Sequence, residues 1–90
     1  MLVNDPGGLP IALTDERWRH ILLRHPEMGT HLTGIAACVS VPTHILPGRS
    51  PAESWHYLEN SGPSRYLKVV IAYHGGRGYV RTAFGRRSFP

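Results

Sequence analysis

The segment Arg65–Phe84, RYLKVVIAYHGGRGYVRTAF, decides the fold because it has the pattern of two β-strands joined by a tight turn. In the first strand Leu67, Val69 and Ile71 fall on one face, since side chains in a strand point alternately to opposite faces. The glycine-rich segment 75–78, GGRG, supplies the backbone freedom that a hairpin connection requires. The pattern therefore predicts an antiparallel hairpin with one face turned toward a core.

The opposite face of this hairpin carries Lys68 between apolar and aromatic neighbours. Strict alternation divides the second strand into two sets, Val80, Thr82 and Phe84 against Tyr79, Arg81 and Ala83. A cation on the open face of a small sheet is a place where a functional site is expected. The plainer interpretation is that Lys68 and Arg81 only keep this face solvated, and the residues alone slightly favour it.

Length and composition indicate one small globular domain that spans residues 1–90. Cys38 is the only cysteine, so no internal disulfide is expected and a reducing, cytoplasmic setting is predicted. Residues 1–13 lack the basic start of a secretory signal and are interrupted by proline and glycine. The segment 28–48 has no Asp, Glu, Lys or Arg, but its histidines and prolines argue against a membrane-spanning helix.

Charge is distributed unevenly along the chain. Residues 1–59 carry four arginines and six acidic residues, whereas residues 60–90 carry six basic residues and no acidic one. Such asymmetry creates a local positive field that favours a polyanionic partner. The pattern is compatible with a nucleic acid or with the acidic surface of another protein.

The order of the predicted elements indicates an α+β fold. Residues 1–12 are expected to form an extended lead-in or a short edge strand, and residues 85–90 a basic tail. Two helices are predicted from Thr14 to Pro26 and from about Thr30 to Val41, and strands at His44–Leu46, Ser54–Glu59 and in the two arms of the hairpin. The prediction is two N-terminal helices packed on one face of a roughly four-stranded antiparallel sheet.

His25 lies in the apolar stripe of the first predicted helix. Trp18, Ile21 and Leu22 have the spacing i, i+3, i+4, and His25 follows at i+7. A histidine in such a stripe is either a core residue or a catalytic one, and the residues alone favour the core.

The chemistry that these residues permit is acid–base work on a phosphodiester. The six histidines lack the close pairing of zinc ligands, so neither a metal nor another cofactor is expected. RNA carries its own nucleophile, the 2′-hydroxyl, and needs only phosphate positioning, charge stabilisation and proton transfer. Lys and Arg suit the second task, and His suits the third because its pKa lies near neutrality.

Several blocks of the sequence resemble a group of small nuclease domains. The pattern Thr14-x-x-Arg-Trp-x-His-Ile-Leu-x-Arg-His-Pro-Glu27, followed by blocks at 41–45, 66–71 and 79–84, resembles the phage-associated branch of the barnase–EndoU–colicin–RelE-like domains. The resemblance covers residues 13–84 and implies two helices on a four-stranded antiparallel sheet. It also implies metal-independent endoribonuclease activity, typical of toxins or phage-encoded effectors, with RNA as the substrate and an antitoxin or immunity protein as a further partner.

Carried over to this chain, the resemblance points to His25, Lys68 and Thr82 as site residues, with Arg81 as a neighbour on phosphate. In the working hypothesis the 2′-hydroxyl attacks phosphorus, Lys68 and Arg81 stabilise the transition state, and His25 or His74 transfers a proton. The substrate-binding residues are predicted to be Tyr57, Arg65, Arg77, Arg86 and Arg87. The predicted sheet offers no clear glutamate base, and Glu59, at a strand end, is the nearest candidate.

Two other functions agree with the same residues. One is a non-catalytic module of the same fold that holds RNA or protein through residues 60–90, and whose RNA binding would be sensitive to salt. The other is a protein-interaction domain with little affinity for free RNA, such as a piece of a phage structural protein.

Overall fold

The computed structural model describes residues 1–90 and contains a six-stranded mixed sheet and two α-helices. The strands are β1 (Leu2–Asn4), β2 (Pro10–Ala12), β3 (His44–Pro47), β4 (Glu53–Glu59), β5 (Tyr66–His74) and β6 (Arg77–Arg86). The helices are α1 (Asp15–Arg24) and α2 (Leu32–Ser40), joined by a 3₁₀ segment, Pro26–Thr30. The strand order is β1-β2-β6-β5-β4-β3, and β2 and β6 form the one parallel pair.

The α+β class is confirmed, but the sheet is larger than the four antiparallel strands expected. Strands β3 to β6 form an antiparallel series, and β1 and β2 extend it from residues expected to form an extended lead-in or a short edge strand. Ile11 of β2 pairs with Gly78 of β6 and is fully buried. A β-carbon at residue 78 would lie 2.7 Å from Cδ1 of Ile11, so the glycine makes this pairing possible.

Helix α1 begins where the sequence predicts. The side chain of Thr14 accepts a hydrogen bond from the Arg17 N–H at 3.1 Å, which caps the helix, and the helix ends before Pro26. Helix α2 starts two residues later than predicted, because Thr30 ends a 3₁₀ segment, and it stops at Ser40, because Val41 is its C-cap.

The core lies between α2 and one face of β5. Leu67, Val69 and Ile71 point into it, as the alternation predicts, and meet Ile35 and Val39 of α2. The two-residue turn between β5 and β6 uses Gly75 and Gly76, both at positive φ, as a hairpin of this length requires. Neither helix is long and apolar enough to cross a membrane.

Strand β6 also differs from the prediction at its end. Residues 85 and 86, expected in a basic tail, still pair with β5, and the chain then turns so that Phe89 packs onto the sheet.

Candidate functional site

A cleft of about 540 Å³ lies on the face of the sheet opposite α2. We call it the cationic cleft, because five basic side chains and one carboxylate are among its lining residues. The lining residues are Arg17, His20, Ile21, Arg24, His25, Arg49, Glu53, Trp55, Lys68, Val70, Arg81, Thr82 and Phe84. Strands β4, β5 and β6 form its floor, and α1 forms one wall.

Lys68 lies at the centre of the floor and is only 6% exposed. Its Nζ is 3.6 Å from the ring centroid of Trp55, with Tyr57 at 5.4 Å and Phe84 at 5.7 Å. Aromatic rings attract a cation through their π faces. None of the four ion pairs in the structure includes Lys68. The only lysine of the chain is therefore a buried cation without a carboxylate partner.

Burial lowers the pKa of Lys68, because desolvation disfavours the charged amine. The nearby positive charges of Arg86 and Arg49 lower the pKa further, and the charge of Glu53 acts in the opposite direction. An anion that entered the cleft would relieve both effects, since it would supply the missing counter-charge. The local electrostatics therefore favour an anion at Lys68.

Glu53 is the carboxylate of the cleft, and its side chain is 11% exposed. Its Oε1 lies 3.4 Å from Nη1 of Arg81, and its Oε2 accepts hydrogen bonds from the Arg49 N–H and from Nε1 of Trp55, each at 3.0 Å. The pKa of Glu53 is lowered, chiefly by the hydrogen bond from Arg49 and also by Trp55 and Arg81. Glu53 is therefore held as an anion.

A bulge in β6 brings Arg81 and Thr82 to the same face. Val70 pairs with Thr82 and Ile71 pairs with Val80, so Arg81 is an extra residue opposite β5. Both Arg81 and Thr82 line the cleft. The division predicted by strict alternation, with Thr82 beside Val80 and apart from Arg81, is wrong because the bulge shifts the phase by one residue.

The C-cap residue of helix α1, His25, lies in the wall of the cleft. Its ring stacks on Phe84 with centroids 5.3 Å apart, and its Nδ1 lies 3.7 Å from Oε2 of Glu27. The half-buried side chain lies at the edge of the core and lines the cleft. A core histidine, the interpretation favoured by the residues alone, therefore does not describe its environment.

The structure brings four of the ten predicted site residues together in the cleft: His25, Lys68, Arg81 and Thr82. The other six lie elsewhere. His74 and Arg77 pair at the tip of the hairpin, Arg65 lies over the ring of Tyr66, and Arg87 is exposed. Tyr57 is fully buried beside Lys68, and Arg86 donates a hydrogen bond to the carbonyl of Pro90.

Sequence reasoning missed several lining residues. Arg17 and Arg24 have the spacing i, i+7 and flank His20, a helical stripe that could have identified them. Glu53 lies just outside the strand predicted at Ser54–Glu59, whereas in the structure it begins β4 and faces the cleft. Glu59, the glutamate proposed from sequence, instead lies 4.0 Å from Nε2 of His44 and outside the cleft. The basic surface is also not confined to residues 60–90, because α1 contributes to it.

A second feature of the same face is a cluster of aromatic rings that we call the aromatic groove, formed by His44, Tyr57 and Tyr66. The ring of Phe89 fills it. Phe89 stacks on His44 with centroids 4.1 Å apart and an interplanar angle of 21°, and meets the ring of Tyr57 edge-on at 4.9 Å. The centroid of Tyr66 is 6.0 Å away.

Comparison of the chain with protein-family models, with curated proteins and with solved structures found no match. The resemblance to the nuclease domains therefore stays a prediction. The class that the structure itself establishes is a compact α+β domain with two helices and a six-stranded mixed sheet.

Proposed function

We propose that this protein is a metal-independent endoribonuclease, an effector of the toxin type that acts on RNA in the cytoplasm. The observation that carries the proposal is Lys68, a buried cation without a carboxylate partner on the floor of a cleft with four arginines. Phosphodiesters supply the missing negative charge, and a sheet with aromatic and basic side chains suits a single-stranded nucleic acid. The same cleft contains a histidine and a carboxylate for proton transfer.

The phosphate binds at Lys68 and Arg81. Both cations stabilise the charge that grows on the phosphoryl oxygens as the 2′-oxygen attacks phosphorus. The hydroxyl of Thr82, on the same face through the bulge, donates a hydrogen bond to a phosphate oxygen. Because the substrate itself supplies the nucleophile, the protein contributes orientation and electrostatics.

Proton transfer is assigned to Glu53 and His25. When the phosphate draws Arg81 away, Glu53 loses a counter-ion and its pKa rises, while the hydrogen bonds from Arg49 and Trp55 to Oε2 remain and leave Oε1 free to accept a proton. Glu53 then takes the proton of the 2′-hydroxyl while the 2′-oxygen–phosphorus bond forms. The bond from phosphorus to the 5′-oxygen breaks, and His25 in its protonated form gives that oxygen a proton. The products are a 2′,3′-cyclic phosphate and a 5′-hydroxyl end.

A non-catalytic RNA-binding module is the second candidate. It is favoured by the number of arginines in the cleft and by the rings of Trp55 and Phe84, which are also typical of proteins that hold single strands without cleaving them. This candidate predicts salt-sensitive binding and intact RNA. The nuclease proposal differs from this candidate in one further way: expression of an active toxin-like nuclease should slow host growth unless a neutralising antitoxin or immunity protein is present.

The test is to incubate purified tRNA and total RNA with the protein in excess EDTA. Wild type is compared with Lys68→Ala and with Arg19→Ala, whose arginine lies on α1 but outside the cleft. Cleavage by wild type and Arg19→Ala alone, leaving cyclic-phosphate ends, supports the nuclease. Salt-sensitive binding with no cleavage at any protein concentration supports the binding module.

A further inference from the structure

The aromatic groove is the immediate neighbour of the cationic cleft. His44 pairs with Tyr57, and Tyr57 pairs with Lys68, so these three residues stand in one row across β3, β4 and β5. Neighbouring strands are about 4.8 Å apart. A ring held above Tyr57 therefore lies one strand away from the ammonium group on the floor of the cleft.

The groove holds a flat aromatic ring in the manner in which proteins hold a nucleobase. One face of Phe89 stacks on His44, at an interplanar angle of 21°, and Tyr57 meets it edge-on at 87°. Proteins that bind single-stranded RNA use Phe, Tyr, Trp and His rings as stacking platforms beside cations that bind the backbone. A ring site next to a phosphate site reproduces the two parts of a nucleotide.

The segment that fills the groove is held by few interactions other than these ring contacts. One hydrogen bond, from Nη2 of Arg86 to the carbonyl of Pro90 at 3.0 Å, ties it to β6. Arg87 and Ser88 are exposed and lie outside the strand. Phe89 can therefore leave the groove while the sheet stays intact.

We propose that the aromatic groove is a nucleobase subsite of the cationic cleft and that Phe89 occupies it when no RNA is bound. This inference rests on the proposed function, because the phosphate of the same nucleotide chain binds at Lys68. RNA must displace Phe89 before its base can stack on His44. The measured affinity is then lower than the intrinsic affinity by the fraction of molecules in which the groove is open.

The test measures binding without cleavage by fluorescence anisotropy. One probe is a short single-stranded 2′-O-methyl oligocytidine, and the other is an oligomer of equal length without bases. Phe89→Ala should tighten binding of the oligocytidine by about three- to tenfold, because the ring of Phe89 no longer competes with the base for the aromatic groove. Binding of the abasic oligomer should not change. Adding His44→Ala to Phe89→Ala should cancel the gain.

The possible results separate this inference from the proposed function. The base subsite is overturned if Phe89→Ala leaves both affinities unchanged, weakens them or tightens both equally. The cationic cleft is tested separately: it is supported if the wild type binds the abasic oligomer and Lys68→Ala does not. If only the oligocytidine binds, and binds Phe89→Ala better, the base site in the groove is supported, while the phosphate site at Lys68, and with it the proposed function, is overturned. If neither probe binds, both are overturned.

A second variant keeps the test valid if Phe89→Ala does not fold. Phe89→Leu retains an apolar side chain against the groove but cannot stack on His44. It should give a smaller gain in oligocytidine affinity than Phe89→Ala, in the same direction. An affinity equal to that of the wild type in this variant overturns the inference.

Discussion

Glu53 and Arg81 form an ion pair across β5, with Oε1 and Nη1 3.4 Å apart, although their strands are not neighbours. Strands two positions apart in a sheet are separated by roughly 10 Å, so both side chains extend over the intervening strand. Arg81 can do so because the bulge turns it to the same face as Thr82. Both residues of this pair line the cleft together with Lys68, so an anion bound to Arg81 would compete with Glu53.

Glu53→Gln should lower stability in a way that depends on pH. The pKa of Glu53 is below its usual value of 4.5, so its stabilising contribution is present above that pH and is lost as pH falls through the folded-state pKa. Urea unfolding should give a lower free energy of unfolding for Glu53→Gln near neutral pH, by roughly 1–2 kcal/mol, and a shrinking difference below pH 4.5. A difference that stays constant over this range would contradict the assignment.

Lys68→Met should retain or raise stability while it abolishes function. The substitution keeps an unbranched side chain that is one heavy atom shorter, and it removes the cost of a buried charge, worth roughly 1 kcal/mol. Thermal unfolding should therefore occur at the same temperature or a few degrees higher, while binding of a single-stranded oligonucleotide is lost. A marked fall in the melting temperature would mean that the interaction of the ammonium group with its aromatic rings stabilises the fold.

The pKa of Lys68 can be read selectively because the chain has no other lysine side chain. It should lie below 10.5 in the free protein and rise when an oligonucleotide binds, because phosphate favours the charged amine. Arg86→Gln should raise the pKa, and Glu53→Gln should lower it. NMR titration of the Lys68 ε-methylene checks all three directions.

The same shift predicts the pH dependence of stability at high pH. The unfolded state binds the lysine proton more tightly than the folded state, so the contribution of Lys68 to stability should rise as pH increases from the folded-state pKa toward 10.5. Burial raises the pKa of the Cys38 thiol to about 12 and also raises the pKa of Tyr57 and Tyr73, so these groups lower stability over the same range. The quantity to measure is therefore the difference in the free energy of unfolding between wild type and Lys68→Met, which should move in favour of the wild type as pH rises. Lys68→Met serves as the control, because it should lack this rise.

His25→Gln should reduce RNA cleavage by about 100-fold or more, the usual contribution of a positioned proton donor. Binding of a non-cleavable oligonucleotide should change little, since Gln preserves much of the volume of the side chain. His74→Gln is the matched control, because His74 lies at the tip of the hairpin and outside the cleft. Equal losses in both variants would remove His25 from the reaction.

Deletion of Arg81 should leave the sheet intact and weaken oligonucleotide binding. Val70 pairs with Thr82 and Ile71 pairs with Val80, which leaves Arg81 without a partner in β5. Its removal therefore restores a regular ladder. Deletion of Ala83 is the contrasting case, because it would move the following residues to the opposite face. Circular dichroism and melting temperature should separate the two deletions, and unfolding of both would contradict the role given to the bulge.

The orientation of β5 could be predicted from the sequence, because the side chains of a nine-residue strand alternate between the two faces often enough to define the core face. The sequence also identified Lys68 on the open face. The bulge could not be predicted, since Arg81 and Thr82 are both compatible with either side of a regular strand. Strands β1 and β2, of three residues each, are too short to show a period.

The missing part of the site has a similar explanation. Glu53 follows a segment with the composition of a loop, and only its contacts with Arg49, Trp55 and Arg81 reveal that its carboxylate points into the cleft. The role of His25 was ambiguous, because an apolar stripe predicts which side of a helix faces the core but not how far along the helix the core extends. The groove could not be predicted because Phe89 reaches it through a turn of the chain after β6, and such a turn leaves no periodic pattern in the sequence.

The parallel pairing of β2 with β6 has a consequence for the synthesis of the protein. Ile11 leaves the ribosome before residues 12–77, and its partner Gly78 is made only after them. Chains are made at about 5–20 residues per second, so β2 waits for several seconds before it can dock. The bulge and Phe84 emerge after Gly78, and the growing chain therefore completes its sheet and its cationic cleft together, only after residue 84 has been made.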